Sequence, residues 1–365
     1  MLDLHDFHAA LGAHFTAVND TEHVADYGDP TAEHRALRES AGVLDLSGRG
    51  RLVLLGPDRQ KLLNGQVTNN VRDLQPGDGC YAALVNAKAR MLADLNILAL
   101  PAELLLDFEP GLSVGLVERL EKFIVADDVQ VVDAAPHYGL LSVQGRHAAR
   151  VVAHLGCFPE LPTKALGNVG VNDPDLGEIH VANHPRAGHR GFDVFVPRAT
   201  LKAVAERLIA AAREFGGRPC GWNALEVARI EAGIPRHGAD MDESNLPPEC
   251  GIEERAISYN KGCYNGQEVI ARIRTYGQVA KALRGFQFTS GTEPLPERGS
   301  KLFKDGKEVG YLTSTTLSPS LGHGIALGYA RRECNGPGVE LVVGAPDGKV
   351  RTVIVPLPFV GLQYA

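Results

Sequence analysis

The chain has 365 residues, of which 44% are hydrophobic and 22% charged, with a formal net charge of -7 at pH 7. This length predicts two or three globular domains, and the acidic balance excludes a global basic field for nucleic acid. The opening residues lack the basic and apolar regions of a signal peptide, and no apolar run reaches the roughly 18 residues of a membrane span. We therefore expect a soluble, cytoplasmic protein without membrane contact.

The cysteines and histidines do not form a metal-binding pattern. No two cysteines form a C-x-x-C pair, and their scatter fits neither a disulfide framework nor a zinc site. His184 and His189 lie five positions apart in NHPRAGH, which is a weak metal signal. We predict no metal site and mostly buried, reduced thiols. The six cysteines are Cys80, Cys157, Cys220, Cys250, Cys263 and Cys334.

The first half of the chain alternates between helical and strand patterns. Residues 28–42 predict a helix that Asp29 or Thr31 caps, with Pro30 near the first turn and Gly42 at the end. Further predicted elements are a strand at 51–56, a helix at 58–67, a hairpin or meander at 81–111, a helix at 113–124 and a strand at 129–134.

A similar succession of elements then recurs up to about residue 217. Residues 198–217 predict a long amphipathic helix with Leu201, Val204, Leu208 and Ala211 on one face. Two successive units of hairpin, helix and strand predict two α+β layers built alike. The other predicted elements are the strand GLLSVQG, the helix RHAARVVAHLG and the strands EIHVANH and GFDVFV.

The secondary-structure pattern of the sequence changes near residue 280. From residue 283 onward, short strand patterns alternate with turns, and Asp305-Gly306 and Asp347-Gly348 are typical of hairpin turns. The segment 281–365 therefore predicts a small all-β barrel or sandwich.

The segment KGCYNGQEVIAR, 261–272, is the first candidate for chemistry, since the chain contains no Walker, G-x-G-x-x-G, G-x-S-x-G or H-E-x-x-H motif. Its glycines allow a tight turn around Cys263 and Tyr264, and the helical pattern that follows begins close to the cysteine. Nearby Lys261 and a helix dipole would favour a thiolate. A buried structural cysteine is the equally weighted alternative.

Three charged residues are further candidates. Asp94 stands in the apolar stretch RMLADLNILAL, and burying a carboxylate there is costly unless it is bonded or titrates abnormally. The same argument applies to Asp193 in RGFDVFV, although alternation could point it outward. Arg229 could bind a carboxylate ligand, but its spacing from Glu231 alone favours a surface arginine.

Taken together and in this order, these features resemble the tetrahydrofolate-binding superfamily of the glycine cleavage T-protein (GcvT, an aminomethyltransferase). KGCYNGQE resembles the K-G-C-Y-x-G-Q-E motif of its YgfZ-type branch. Supporting segments include EHRALRESAGVLDLSGRGRLVLLGPD, GDGCYAALVNAKARMLADL and ARIEAGIPRHGADMDESNLPPECG. T-proteins carry a histidine-methionine pair after D-x-S, whereas this chain reads LDLSGRG.

The resemblance implies a three-domain ring with two α+β domains and a C-terminal small β-barrel, and a folate at its centre. The two α+β domains would be interleaved in 1–280, at about 48–135 and at 1–47 plus 136–280, followed by the barrel at 281–365. It also implies site residues. Cys263 and Asp94 would be catalytic, and the folate derivative, tetrahydrofolate, would be bound by Tyr81, Asp94, Asp193, Arg229, Lys261 and Gln267.

Three functional hypotheses follow from the resemblance. The leading one is a YgfZ-type protein that supports assembly or repair of iron–sulfur enzymes, with iron–sulfur proteins or assembly factors as partners. The alternatives are a tetrahydrofolate-dependent aminomethyltransferase and a folate-stabilised module that binds a protein or tRNA. Net acidity disfavours tRNA, and we expect a monomer. A local basic strip would consist of Lys261, Arg272, Arg274, Lys281 and Arg284.

Overall fold

The computed structural model describes residues 1–289, 291–345, 348 and 350–361. Its helices are α1 (His5–Ala10), α2 (Pro30–Glu39), α3 (Arg59–Asn64), α4 (Ser113–Glu121), α5 (Ala148–Ala153), α6 (Leu201–Glu214), α7 (Trp222–Glu231), α8 (Glu253–Ala256) and α9 (Gln267–Tyr276). Its strands are β1 (His14–Val18), β2 (Thr21–Asp26), β3 (Gly42–Asp45), β4 (Gly50–Leu55), β5 (Gly79–Val85), β6 (Met91–Ala99), β7 (Leu104–Phe108), β8 (Gln130–Asp133), β9 (Tyr138–Gln144), β10 (Asn168–Asp173), β11 (Gly177–Asn183), β12 (Gly191–Pro197), β13 (Arg218–Pro219), β14 (Lys281–Phe288), β15 (Lys301–Lys304), β16 (Lys307–Ser318), β17 (His323–Arg331), β18 (Glu340–Val343) and β19 (Val350–Val355).

A five-stranded sheet, in the order β5-β6-β7-β4-β8, carries one wall of the site described below. Side chains alternate between the two faces of a strand. Along β6 this alternation buries Ala93, Leu95 and Ile97 in a core with residues of α3 and α4. Asp94 and Asn96 therefore lie on the opposite face of the sheet, where they line a cavity.

A six-stranded sheet, in the order β10-β11-β12-β9-β3-β13, forms the second α+β layer. Its core includes the predicted apolar face of α6, since Leu201, Val204, Leu208 and Ala211 are all buried there. Strand β3 precedes the five-stranded sheet in the chain, yet it pairs with β9 in the six-stranded one. The predicted domain boundaries stay a prediction, because strand order does not show which segments fold independently.

Helices α2 and α7 pack against each other, and their buried residues share a core with residues of both sheets. Pro30 is the first residue of α2, and Asp29 caps the helix, with its Oδ1 accepting a hydrogen bond from the backbone N–H of Ala32 at 3.0 Å. The helix ends at Glu39, three residues before the predicted stop, because Gly42 already belongs to β3.

The C-terminal segment is a closed barrel, in the order β14-β17-β16-β15-β18-β19. The barrel interior contains Phe286, Leu302 and Leu312, which are all buried. Asp305 and Gly306 take positive φ values of 50° and 76° in the β15–β16 turn, as the predicted hairpin requires. The other predicted turn, Asp347-Gly348, cannot be compared, since Asp347 lies outside the described residues.

The fold confirms the predicted class, a mixed α and β architecture with a C-terminal barrel. The sequence analysis did not predict the hairpin of β1 and β2 or the strand β10. Strand β1 carries no clear period-2 apolar pattern, whereas Val169 and Val171 alternate along β10 and pack against the core. Within the described ranges, no helix has the length and apolar character needed to cross a membrane.

Candidate functional site

A cavity of about 430 Å³ lies between the two α+β layers. Its walls come from β5 and β6, from the loop after β3, from the loop between β11 and β12, and from α7 and the residues that follow it. The apolar part of the lining includes Leu166, Trp222 and Leu225. The cavity therefore joins parts of the chain that are far apart in sequence.

Asp94 stands out in this cavity because one of its carboxylate oxygens has no hydrogen-bond partner. The Tyr81 hydroxyl donates to Asp94 Oδ2 at 2.9 Å, while the shielded Oδ1 has no partner among the described residues. Burial, reinforced by the nearby charge of Glu109, raises the pKa of Asp94 above its usual value. Asp94 can therefore accept a hydrogen bond from a ligand and exchange a proton closer to neutrality than an exposed aspartate.

The cavity wall beside Asp94 contains Arg49, which is only 6% exposed. Its guanidinium donates to Asp107 Oδ1 at 2.8 Å and to Glu109 Oε1 at 2.5 Å. A Cβ at Gly48 would lie 2.6 Å from His23, and one at Gly50 would collide with the Phe108 ring. The glycines on both sides of Arg49 thus allow the close packing that holds the arginine in place.

Arg186 continues this network of buried charges. Its Nη2 donates to Asp107 Oδ2 at 2.7 Å and to Asp193 Oδ2 at 2.6 Å, and His184 Nδ1 lies 2.8 Å from Asp193 Oδ2. Burial alone would raise the pKa of Asp107, but the charges of Arg186 and Arg49 outweigh it and hold that pKa far below its usual range. The network is closed, with each carboxylate already paired.

Asp107, His184 and Asp193 come together at a spacing that could hold a metal ion, since their ligand atoms all lie within 4.8 Å of one another. The Arg186 guanidinium, however, already contacts both carboxylates. A cation bound there would have to displace that guanidinium or sit against its positive charge. The arrangement is therefore better described as an ion-pair network than as a metal centre.

Arg229 is 4% exposed and lines the cavity, so the surface position that its spacing favoured is wrong. Its guanidinium donates to Asp240 Oδ2 at 2.5 Å, to Glu226 Oε2 at 3.0 Å and to the Ser314 hydroxyl at 2.7 Å. Because Ser314 belongs to β16, this arginine ties α7 to the barrel. Arg236, which also pairs with Glu226, extends the same wall.

Arg255, at the end of α8, lies on the rim of the cavity and is exposed. Its guanidinium carbon stands 4.4 Å from the centroid of the Tyr81 ring, a cation–π distance. The side chain of Asn69 donates to the backbone carbonyls of Tyr81 and Arg255, at 2.8 and 3.0 Å, which joins β5 to the end of α8.

The loop that contains Cys263 is held to the segment 64–69 by Lys261. The Lys261 ammonium donates to three backbone carbonyls, those of Asn64, Val67 and Asn69, at 2.7, 2.7 and 2.6 Å. All three N–H donors are thereby used, and burial lowers the pKa of Lys261 to about 8. The direct contact of Lys261 with a ligand stays a prediction, and the geometry favours a structural role.

Cys263 itself is an exposed, free thiol, so the alternative of a buried structural cysteine is wrong. Gly266 then turns the chain into α9 with a φ of 79°, at a point where a Cβ would come within 2.6 Å of the Asn86 carbonyl oxygen. Gln267 begins that helix. Neither Cys263 nor Gln267 lines the central cavity in the described part of the chain.

The five residues of the local basic strip, which a tRNA-binding module would need, do not form a row of free charges. Arg272 pairs with Glu268 at 2.6 Å, and the Arg274 guanidinium stacks on the Tyr259 ring at 3.7 Å. Arg284 donates to the backbone carbonyl of Asn335 at 2.8 Å. These contacts, with those of Lys261 described above, engage most of the strip within the protein.

Tyr81, Asp94 and Arg229 line one cavity in the structure. Asp193 does not line this cavity, and its carboxylate lies against Arg186, which does. Apart from Arg229 and Asp193, the cavity arginines and their carboxylate partners were not predicted from the sequence. Two signals were available: acidic residues in the apolar run LLLDFEPG, and an arginine between two glycines in SGRG. The missed residues are Arg49, Asp107, Glu109, Arg186, Glu226, Arg236 and Arg255.

Two family models match the chain. Residues 4–261 match the GCVT N-terminal domain, and residues 281–361 match the glycine cleavage T-protein C-terminal barrel domain. Together they span nearly all of the chain, and the gap between them falls at α9, before the barrel begins.

Individual proteins are similar over more than nine-tenths of their length. An aminomethyltransferase of Thermosynechococcus vestitus is 30% identical, with 95% of this chain and 92% of that protein covered. One of Rubrobacter xylanophilus is also 30% identical, with 98% and 93% covered. The crystal structure of aminomethyltransferase T from Bartonella henselae superposes with a TM-score of 0.88 at 24% identity, covering 98% and 97%, which shows the same fold.

These similarities confirm the superfamily that the sequence resembles, but they give no support to the YgfZ-type branch in particular. That assignment depended on the eight residues KGCYNGQE, whereas the similarity to proteins named aminomethyltransferase extends over the whole chain. The comparisons thus favour the first alternative over the leading hypothesis.

Proposed function

The chain belongs to the glycine cleavage T-protein family, and we propose that it is a tetrahydrofolate-dependent aminomethyltransferase. The observation that carries the proposal is the free Oδ1 of Asp94, an acceptor shielded from solvent in the central cavity. A buried acceptor without a partner is costly, and an N–H of a bound ligand would satisfy it. The two relatives are both named aminomethyltransferase, which supports the same proposal.

The cavity fits a folate in size and chemistry. Its volume of about 430 Å³ is typical of small-molecule sites. Trp222, Leu166 and Leu225 offer flat and apolar surfaces for a ring system, while Asp94 and the arginines offer polar contacts. When bound, tetrahydrofolate would supply the two secondary amines that accept the one-carbon unit from an aminomethyl thioether, and ammonia and the carrier thiol would leave with the two amine protons.

Asp94 would act as the proton-transfer group. With Oδ2 held by Tyr81, the carboxylate is oriented so that Oδ1 accepts the N–H of the reacting amine. Its raised pKa suits both directions of transfer, because the carboxylate can take a proton from that amine and return it to the departing ammonia. Tyr81 would be a positioning residue for this step.

The remaining predicted residues receive different roles in this proposal. Arg229 faces the cavity and would contact the ligand or its wall. Asp193 has both oxygens engaged, by Arg186 and His184, so it would position Arg186 rather than touch a pterin. Lys261 would fix the loop at 64–69, next to the cavity. Among the described residues, no contact of Gln267 gives it a role in transfer.

The test is a transfer assay with an aminomethylated lipoyl carrier and tetrahydrofolate. We expect ammonia and methylene-tetrahydrofolate in equal amounts from the wild type, and formation of both products about a hundredfold slower in Asp94→Asn. Binding of tetrahydrofolate without either product would reject aminomethyl transfer while leaving folate binding intact. No binding of tetrahydrofolate at all would reject the whole proposal.

A role in iron–sulfur protein assembly or repair is the second candidate, and one observation favours it. Cys263 presents a free thiol at the surface, in a loop that Lys261 anchors with three hydrogen bonds. A single cysteine cannot hold a cluster, which takes about four ligands. The thiol would therefore act on a client protein, as a transient ligand or nucleophile.

This second candidate is tested in cells. The activities of iron–sulfur enzymes would be measured with wild type, with Cys263→Ser and with Cys157→Ser as a matched control at another free cysteine. A loss in Cys263→Ser alone supports the role. Equal enzyme activities in the three strains reject it.

A further inference from the structure

The five arginines of the central cavity are not equivalent. In the described part of the chain, four of them are paired with carboxylates, while Arg255 has no carboxylate within 4.0 Å. A guanidinium paired inside the protein is already neutralised, so it has little charge to offer a ligand. Arg255 alone of the five offers an uncompensated positive charge at the rim. The paired arginines are Arg49, Arg186, Arg229 and Arg236.

Tyr81 connects this charge to the reacting carboxylate. Its hydroxyl donates to Asp94 Oδ2 at 2.9 Å, and its ring lies under the Arg255 guanidinium at 4.4 Å. The Asp94 carboxylate, which would accept from an amine, and the guanidinium of Arg255, unpaired among the described residues, therefore both lie beside the side chain of Tyr81. A ligand that spans them needs an N–H in its interior and a negative charge at its outer end.

We propose that Arg255 binds the glutamyl carboxylates of the folate and so selects folates with an acidic tail over the same ring system without one. This inference rests on the proposed function, since it concerns the same ligand. A guanidinium can donate two parallel hydrogen bonds to a carboxylate. Stacking on Tyr81 and the contacts of Asn69 restrict where Arg255 can lie before the ligand arrives.

The experiment measures dissociation constants for tetrahydrofolate and for tetrahydropteroate, which lacks the glutamate. The proteins are the full-length wild type, Arg255→Gln, Arg255→Glu and the control Arg35→Gln, an exposed arginine on α2. We expect the wild type and the control to prefer tetrahydrofolate by about tenfold, the value of one charge-assisted hydrogen bond. Arg255→Gln should remove the preference, and Arg255→Glu should invert it. Salt should weaken the wild-type preference, because the rim is open to solvent.

The possible failures are distinct. If the wild type binds both compounds and Arg255→Gln leaves their ratio unchanged, the role of Arg255 is wrong and folate binding stands. If the variant weakens both compounds equally, Arg255 acts only through Tyr81 and the inference is again rejected. If the wild type binds neither compound, the proposed function falls and this inference falls with it.

Discussion

The two sides of the central cavity differ in whether their charged side chains are paired within the protein. On one side, the side chains of Arg49 and Arg186, 6% and 8% exposed, have carboxylates at hydrogen-bond distance, with Asp107 between them. On the other side, Asp94 has a free Oδ1 and Arg255 has no carboxylate partner in the described residues. Both groups of residues line or support the same cavity. Within the described ranges, only the group that contains Arg49 and Arg186 has its charges paired without a ligand.

We infer from this difference that the paired side stabilises the fold and that the unpaired side serves the activity. A closed network of buried charges is stabilising only as a whole, because the removal of one partner leaves another charge uncompensated. An open acceptor costs stability in the free protein and regains it when a ligand fills it. Mutations on the two sides should therefore fail in different ways, the first in folding and the second in activity.

The largest expected effect comes from breaking the closed side. Arg186→Ala would leave Asp107 and Asp193 buried without their shared guanidinium, at a cost of about 3–5 kcal/mol in the free energy of unfolding. Urea unfolding would measure this. Arg190→Ala, an exposed neighbour, serves as the control and should change stability by less than about 0.5 kcal/mol. Equal effects of the two variants would contradict the account of the network.

On the open side, Asp94→Asn should lower kcat by about a hundredfold, the range of general acid–base catalysis, with little change in thermal stability. Because burial raises the pKa of Asp94, the acid limb of the wild-type kcat should lie above the usual aspartate value of 3.8 and be absent from the variant. Asp133→Asn, on the exposed strand β8, is the control. Full activity of Asp94→Asn would remove this residue from the mechanism.

A second closed network, outside the cavity, gives a pH test. Glu231 on α7 pairs with His34 at 2.9 Å and Arg38 at 3.0 Å and accepts from Ser318 of the barrel. Burial would raise its pKa, but the hydrogen bonds from His34 and Ser318 dominate and lower it from 4.5 to about 2. The stabilisation is thus present above pH 4.5 and is lost as pH falls towards 2.

Glu231→Gln should therefore lower the stability at neutral pH by about 2 kcal/mol and flatten its decline between pH 4.5 and 2. The exposed Glu243→Gln is the matched control. Thermal unfolding across this pH range would show the difference. A variant whose acid decline runs parallel to that of the wild type would show that Glu231 does not carry this effect.

The smallest expected effect concerns the cysteine loop. Cys263 lies outside both sides of the cavity, so Cys263→Ser should leave tetrahydrofolate affinity and kcat within about twofold of wild type. Titration calorimetry and the transfer assay would check this. A tenfold loss in kcat would instead place the thiol in the transfer reaction and undo the separation between cavity and loop.

Much of the fold was predictable because its signals are local. The apolar face of α6 follows from a 3.6-residue period, and the position of Asp94 follows from alternation along a strand. The hairpin β1–β2 was missed because its burial does not alternate clearly. Sequence patterns thus identified elements whose buried face is regular.

The closed network was not predictable, because its partners are distant in sequence. Arg49 and Asp107 are 58 residues apart, and Arg186 and Asp107 are 79 apart. Arg229 looked like a surface residue from its helix position, yet Ser314, 85 residues away, helps to bury it. Neither the spacing nor the composition of a segment contains this information. Only the packing of the two layers and the barrel brings these charges together.

The central claim is that Asp94 receives a folate amine in the cavity between the layers. A crystal structure of the protein with tetrahydrofolate tests it most directly. We predict a ligand nitrogen within about 3 Å of Asp94 Oδ1, with the ligand in the cavity lined by Tyr81 and Trp222. A folate bound elsewhere, or one in the cavity with Oδ1 still unpartnered, would contradict the account.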